Sequence, residues 1–158
     1  FQAHRSLSPP LILALKRFFL GDYLARDFLA FNNPELIARF RREYAVPPEA
    51  VVEVTIAGDA LLEELNREYR GLSEPTDVLA FPIGRDPAEP EDVWLWGEVY
   101  VSADSARQQA TERNASEEDE LCALVAHGLL HLAGFEHDTE DAYAEMEKEA
   151  EKLAAENE

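Results

Sequence analysis

Three of the chain's four histidines fall within eleven residues, His127-Gly-Leu-Leu-His131-Leu-Ala-Gly134-Phe-Glu-His137. Residues four apart on a helix project from one face, so His127 and His131 can reach one ion. Gly134 lets the backbone turn sharply, and His137 returns from the far side to complete a pyramid. Neutral imidazoles are good zinc ligands at about 2.0–2.1 Å, although they also suit nickel, copper and iron. The only thiol, Cys122, lies five residues before His127. That is roughly 140° around a helix of about 3.6 residues per turn, so Cys122 is expected to pack in the core rather than to ligate. Three ligands with no evident fourth leave a place for water, whose pKa zinc lowers towards about 7. The expected chemistry is hydrolysis at one Zn2+ ion held by His127, His131 and His137. A fourth protein ligand would instead point to a structural metal.

The cluster nearly matches the extended zinc-protease pattern H-E-x-x-H-x-x-G-x-x-H. Gly128 stands where those proteases carry a glutamate, and without that carboxylate peptide hydrolysis loses the group that deprotonates water. The glycine is also expected to leave room beside the metal for a bulkier substrate. A metzincin-like metallopeptidase therefore ranks second.

The elements that must hold this cluster can be read from pattern and punctuation. Asn33-Pro34-Glu35 opens a helix with Leu36, Ile37, Phe40 and Tyr44 at helical spacing, stopped by Pro47-Pro48. Val51 to Ile56 alternates as a half-buried strand. Gly58-Asp59 leads into a helix with Leu61, Leu62, Leu65 and Tyr69 on one stripe, ending at Gly71. Val78 to Ile83 is a short strand pushed to an edge by Pro82. Asp86 to Asp92 forms an acidic loop, and a strand Val99 to Ser102 follows Gly97. Asp104 to Arg113 is helical. Ser116 to Asp119 has capping-box spacing and launches the histidine-bearing helix, which runs to Gly134. Residues 138–155 form a last acidic helix, with Tyr143, Met146 and Leu153 as its buried side. This order implies a single α+β domain: a small mixed sheet of about four strands, covered by about five or six helices. Residues 1–50 are read as a helical N-terminal segment packed on the same domain, and residues 51–158 as the hydrolase core.

With 46% hydrophobic residues in 158, the chain can build a real core, so disorder is excluded. A single cysteine excludes an internal disulfide and a Cys-rich zinc module, and suits a reducing compartment. The longest apolar run, Leu11 to Leu20, is interrupted by Lys16 and Arg17 and is about half a membrane span. No membrane association is expected, and the localisation is read as cytoplasmic. The chain opens on Phe1 rather than Met, which is compatible with a further segment upstream. The net charge of −19 excludes a protein that grips nucleic acid over its whole surface. Residues 1–48 hold seven bases against four acids, whereas the remainder holds seven against 29. Contact with nucleic acid must therefore be local, through a basic face or the metal.

The block His127 to His137 followed by Asp138 closely resembles the metal motif of the YbeY family of bacterial rRNA-maturation endoribonucleases. Leu65-Asn66-Arg67-Glu68-Tyr69-Arg70-Gly71 and then Pro75-Thr76-Asp77-Val78-Leu79-Ala80-Phe81-Pro82 resemble a second signature. Gly97-Glu98-Val99-Tyr100-Val101-Ser102 resembles a third. The three blocks occur in the family's order and cover roughly residues 51–153. The resemblance implies an α+β fold with a small mixed sheet, a bound zinc, single-strand RNA cleavage and a role in ribosome assembly. Two details depart from it: Leu72-Ser73-Glu74 replaces a usual Lys-Asp, removing a positive charge near the substrate groove, and Glu98 stands where Asp is usual.

Arg70 is the leading substrate-binding candidate, since a guanidinium pairs two phosphate oxygens in a fixed fork and offsets charge that develops during cleavage. Thr76 and Asp77 are expected to shape the turn into a strand. Trp94 and Trp96 have rings suited to stacking on bases, but their alternate positions beside a strand favour packing. The expected function is a zinc-dependent endoribonuclease of rRNA maturation. Arg70, His127, His131 and His137 form its site, and its partners are rRNA and ribosomal particles or proteins rather than DNA. The alternatives are the metallopeptidase and a non-catalytic ribosome-assembly protein stiffened by structural zinc.

Overall fold

The computed structural model describes residues 29–30, 33–48, 50–82, 95–136 and 138–155. His137, Trp94, the 86–92 loop and the apolar run of residues 11–20 lie outside the described residues. In chain order the elements are β1 (Leu29–Ala30), α1 (Pro34–Glu43), β2 (Val51–Ala57), α2 (Asp59–Arg70), β3 (Val78–Pro82), β4 (Leu95–Ser102), α3 (Ala103–Arg113), α4 (Glu117–Leu132) and α5 (Glu140–Ala154). The architecture is a single α+β domain.

The helix starts follow the caps. The side-chain oxygens of Asn33, Ser102, Ser116 and Thr139 accept from the backbone N–H groups of Leu36, Ser105, Asp119 and Ala142, satisfying donors that the first helical turn leaves over. At the other end of α2, Gly71 takes the left-handed conformation at φ 71°.

Three strands carry the sheet. Central β4 runs parallel to β2 and antiparallel to β3, and the two-residue β1 pairs antiparallel with β2 at the outer edge. The expected fourth strand is therefore reduced to a two-residue pairing. Pro82 ends β3 at the opposite edge, where a missing N–H does least harm. β4 begins at Leu95, earlier than the expected Val99. Gly97 does not break it, because the strand lies close under α4. A Cβ at Gly97 would stand 2.8 Å from both terminal methyls of Leu132.

Alternation within the strands divides the core. Val78, Ala80, Val99 and Val101 face α4 and join the large cluster with Leu36, Phe40, Val125, Leu129 and Met146. Leu79, Phe81 and Tyr100 face the other way and pack on Leu61, Leu62 and Leu65 of α2. Helix α4 thus lies on one face of the sheet and α2 on the other. The strands bury both faces, and for the same reason β2 departs from simple alternation, with Thr55, Ile56 and Ala57 all buried.

Helix α5 also departs from expectation. Its buried side is Met146, Ala150 and Leu153, while Tyr143 is 53% exposed. Trp96 packs edge-on against Phe40, with centroids 5.8 Å apart, as the packing alternative required. No described helix is long and apolar enough to cross a membrane.

Candidate metal centre

Both described histidines of the motif sit in the second half of α4, where the helix is clamped to the sheet. Gly128 is buried between them, and a Cβ there would lie 2.4 Å from Val99 Cγ1 and 3.0 Å from Val78 Cγ2. The expectation that Gly128 opens room for substrate is therefore corrected. The glycine faces the sheet and permits close helix–strand contact, and a larger side chain enters only if Val99 or the helix shifts.

This clamp leaves His127 and His131 on the wall of an open cavity of ≈ 400 Å³ between α4 and α5. The His127 side chain is 24% exposed and His131 is buried. After Ala133, Gly134 turns the chain at φ 101°, so that the Phe135 carbonyl oxygen comes back to within 3.0 Å of His131 Nδ1. A carbonyl only accepts, so Nδ1 must carry the proton, and Nε2 keeps the lone pair that a metal needs. The turn residue thereby sets the tautomer of a candidate ligand on the helix that packs directly against the sheet.

His127 Nε2 lies 2.9 Å from Glu147 Oε1 of α5. Asp77 and Tyr143 line the same cavity, as does Glu120, whose carboxylate takes Nη1 of Arg113 at 3.3 Å. Asp77 also receives the Ser102 N–H on its backbone carbonyl at 2.8 Å, so it shapes the strand entry as expected and borders the cavity besides. With Glu151 also on the wall, acids outnumber the single arginine there. A phosphate entering this cavity meets net negative charge unless a cation is present. The donor chemistry fits a metal: one imidazole with its lone pair set by a backbone carbonyl, a second beside it, and a surplus of carboxylates. Among the described residues no three His, Cys, Asp or Glu side chains stand together as a complete ion site, and His137, the expected third ligand, lies outside them.

Cys122 is buried elsewhere on α4, and its Sγ accepts from Asn33 Nδ2 at 3.4 Å. Burial pushes its thiol up, as suits a packing residue. Arg70 ends α2 on the other side of the sheet and is not part of the described cavity wall. Its Nη1 donates to Asn66 Oδ1 at 3.4 Å, and the fully buried Asn66 donates in turn to the Glu74 carbonyl at 2.8 Å. Asn66 thus ties Arg70 to the 71–77 connection, which ends at Asp77 on the cavity wall. Glu98 is fully buried in β4. Its register partner in β3 is Phe81.

The residues that sequence reasoning missed are Glu147, Glu120 and Tyr143. A signal was present in α5: Tyr143, Glu147 and Glu151 recur every four residues, beside the buried stripe of Met146, Ala150 and Leu153.

Fold and site together define a small α+β protein in which a helix crossing a mixed sheet presents paired imidazoles to an open, acidic cavity. A sequence model of the family described as Endoribonuclease YbeY matches residues 30–158. The endoribonuclease YbeY of Moorella thermoacetica is 42% identical over 142 residues, covering 85% of this chain and 90% of the relative. That of Thermus thermophilus is 38% identical over 126 residues, covering 76% and 90%. A solution structure of a Thermotoga maritima protein superposes with a TM-score of 0.50 at 29% identity, covering 76% of this chain and 77% of the other. The chain belongs to the endoribonuclease YbeY family. The family match begins at residue 30 and so takes in α1, beyond the stretch from residue 51 that the motifs covered.

Proposed function

We propose that this chain cleaves single-stranded RNA during rRNA maturation, with a zinc ion held by His127, His131 and His137 and the scissile phosphate held by Arg70. Its family makes it an endoribonuclease, a hydrolase of phosphodiester bonds acting in rRNA processing. The metal reading is carried by one observation: the Phe135 carbonyl fixes the proton on His131 Nδ1 and leaves Nε2 as a ligand atom on the cavity wall. When bound, zinc supplies positive charge for the phosphate and lowers the pKa of water towards about 7. The protein's own part is to orient the imidazoles, to hold the helix close to the sheet at Gly128, and to present Arg70 from the end of α2, tied through Asn66 to the 71–77 connection. Ribosomal particles are the proposed context and the cytoplasm the proposed compartment. A metallopeptidase would need a carboxylate at position 128, where the contact with Val99 leaves no space.

The test sets zinc-loaded protein on a structured rRNA fragment beside a peptide library, with Arg70→Ala and His131→Ala. Cleavage of RNA alone is expected. Arg70→Ala loses most activity with its zinc intact, and His131→Ala loses both. Full RNA cleavage by Arg70→Ala would remove that residue from the site.

A further inference from the structure

We infer that Tyr143 is a stacking platform for one nucleobase of the RNA strand, an inference that rests on the reading of the chain as a ribonuclease acting on single strands. Tyr143 lines the wall of the ≈ 400 Å³ cavity and is 53% exposed. That exposure is built into α5. The Tyr143 N–H donates to the Thr139 carbonyl at 2.9 Å in the first turn, and the buried Met146, Ala150 and Leu153 fix the rotation of the helix. The ring is thereby held beside the core rather than in it.

The run of the helices sets where along the cavity the ring stands. His127 Nε2 meets Glu147 Oε1 at 2.9 Å, and Leu153 and Ala154 near the end of α5 share a second hollow with Glu118 and Asp119 at the start of α4. The two helices therefore run antiparallel. Tyr143 precedes Glu147 by one turn and His131 follows His127 by one turn, so Tyr143 and His131 lie at the same end of the wall. A nucleotide whose phosphate stands at the histidines places its base beside this ring.

Charge decides which part of a nucleotide the wall accepts. Asp77, Glu120, Glu147 and Glu151 face the cavity with Arg113, which Glu120 already engages at 3.3 Å. A phosphate pressed into that wall is repelled. A base is uncharged, and it offers a flat face for stacking and edge N–H groups for which carboxylates are acceptors. Stacking on an aromatic side chain is a sequence-tolerant way to hold single-stranded RNA. Bases within a duplex are already stacked and paired, so the ring favours single strands.

Abasic scanning of a short single-stranded oligoribonucleotide tests this by binding as well as by cleavage. Removing the base at one particular position is expected to weaken binding to the unaltered chain about tenfold, as is Tyr143→Ala with the intact strand. In Tyr143→Ala, the abasic change at that position is expected to cost nothing further. Tyr143→Leu, which keeps apolar bulk without the ring, should behave like Tyr143→Ala, whereas Tyr143→Phe and Tyr143→Trp should bind like the unaltered chain. KM is expected to rise with little change in kcat, because the stack is made alike in the ground and transition states. The salt dependence of binding should keep its slope, because no phosphate contact is removed. Additive losses at every position, a shallower salt slope, or undiminished binding by both Tyr143→Ala and Tyr143→Leu would overturn the stacking role and leave the ribonuclease reading in place. An unaltered chain that neither binds nor cleaves the strand would overturn both.

Discussion

Gly128 lies against Val99 so closely that a methyl group at position 128 would stand 2.4 Å from Val99 Cγ1. Both partners are in rigid elements, and Val99 is fully buried at the centre of the sheet. Gly128→Ala is therefore expected to cost about 1–3 kcal/mol, the usual range for overpacking a dense core, and Gly128→Glu more. Gly97→Ala should cost less, because its clash is with the terminal methyls of Leu132, which can rotate away. Urea unfolding measures all three, and a Gly128→Ala chain as stable as the original would show that the helix and sheet separate easily.

Gly134 controls a side chain that it meets only through the backbone, its N–H donating to the His131 carbonyl at 3.1 Å. Its φ of 101° suits glycine, and the resulting turn brings the Phe135 carbonyl to His131 Nδ1. Gly134→Ala strains the turn and shifts that carbonyl. Zinc affinity is expected to fall about 10- to 100-fold, the range for lost partners of metal-bound histidines, with both described histidines intact. Unchanged zinc affinity would mean that His131 is oriented by its packing alone.

How much of this was legible in the sequence depends on whether the signal was local. Caps at Asn33 and Ser116 and the turns at Gly71 and Gly134 were readable, because each works through its own few residues. Gly97 and Gly128 were misread for the opposite reason. Their glycine character answers to Leu132 and Val99, neighbours in space that no local pattern reveals. Tyr143 was assigned to the core on hydrophobicity, yet its position one turn before Glu147 places it on the cavity. The site was half legible. The histidine spacing announced the pair on α4, whereas Glu147 and Asp77 reach the cavity through tertiary packing.

High pH is expected to unfold the chain through its buried tyrosines. Burial, and then the charge of Glu98, push the Tyr100 phenol well above the usual range, and burial with neighbouring carboxylates raises Tyr69 to about 12. A raised folded-state pKa means that the folded chain holds its proton after the unfolded chain has released it. This contribution is whole below the ordinary tyrosine value of about 10 and is lost as pH rises towards the folded value. Stability should fall by up to about 1.4 kcal/mol per pH unit for Tyr100 in that window. Tyr100→Phe should flatten the slope above pH 10, and an unchanged slope would assign the alkaline loss to other groups.

Arg39 ties the first helix to the last. Its guanidinium donates to the carbonyls of Leu153, of Ala155 at 2.6 Å and of Lys152 at 3.2 Å. It thus closes the C-terminal end of α5, where backbone acceptors are left over and a cation is favoured. Leu36 and Phe40 on the same helix are fully buried in the main core. Helix α1 is therefore structural support for the helix that carries Glu147, even though the legible motifs begin only at the second strand. Arg39→Ala is expected to cost about 1–2 kcal/mol and to speed amide exchange in residues 150–155, with no change at α2. A chain begun at residue 51 removes the guanidinium and both core side chains together, and is expected to lose cooperative unfolding. Cooperative unfolding of that shortened chain would show that residues 51–158 fold as a core on their own.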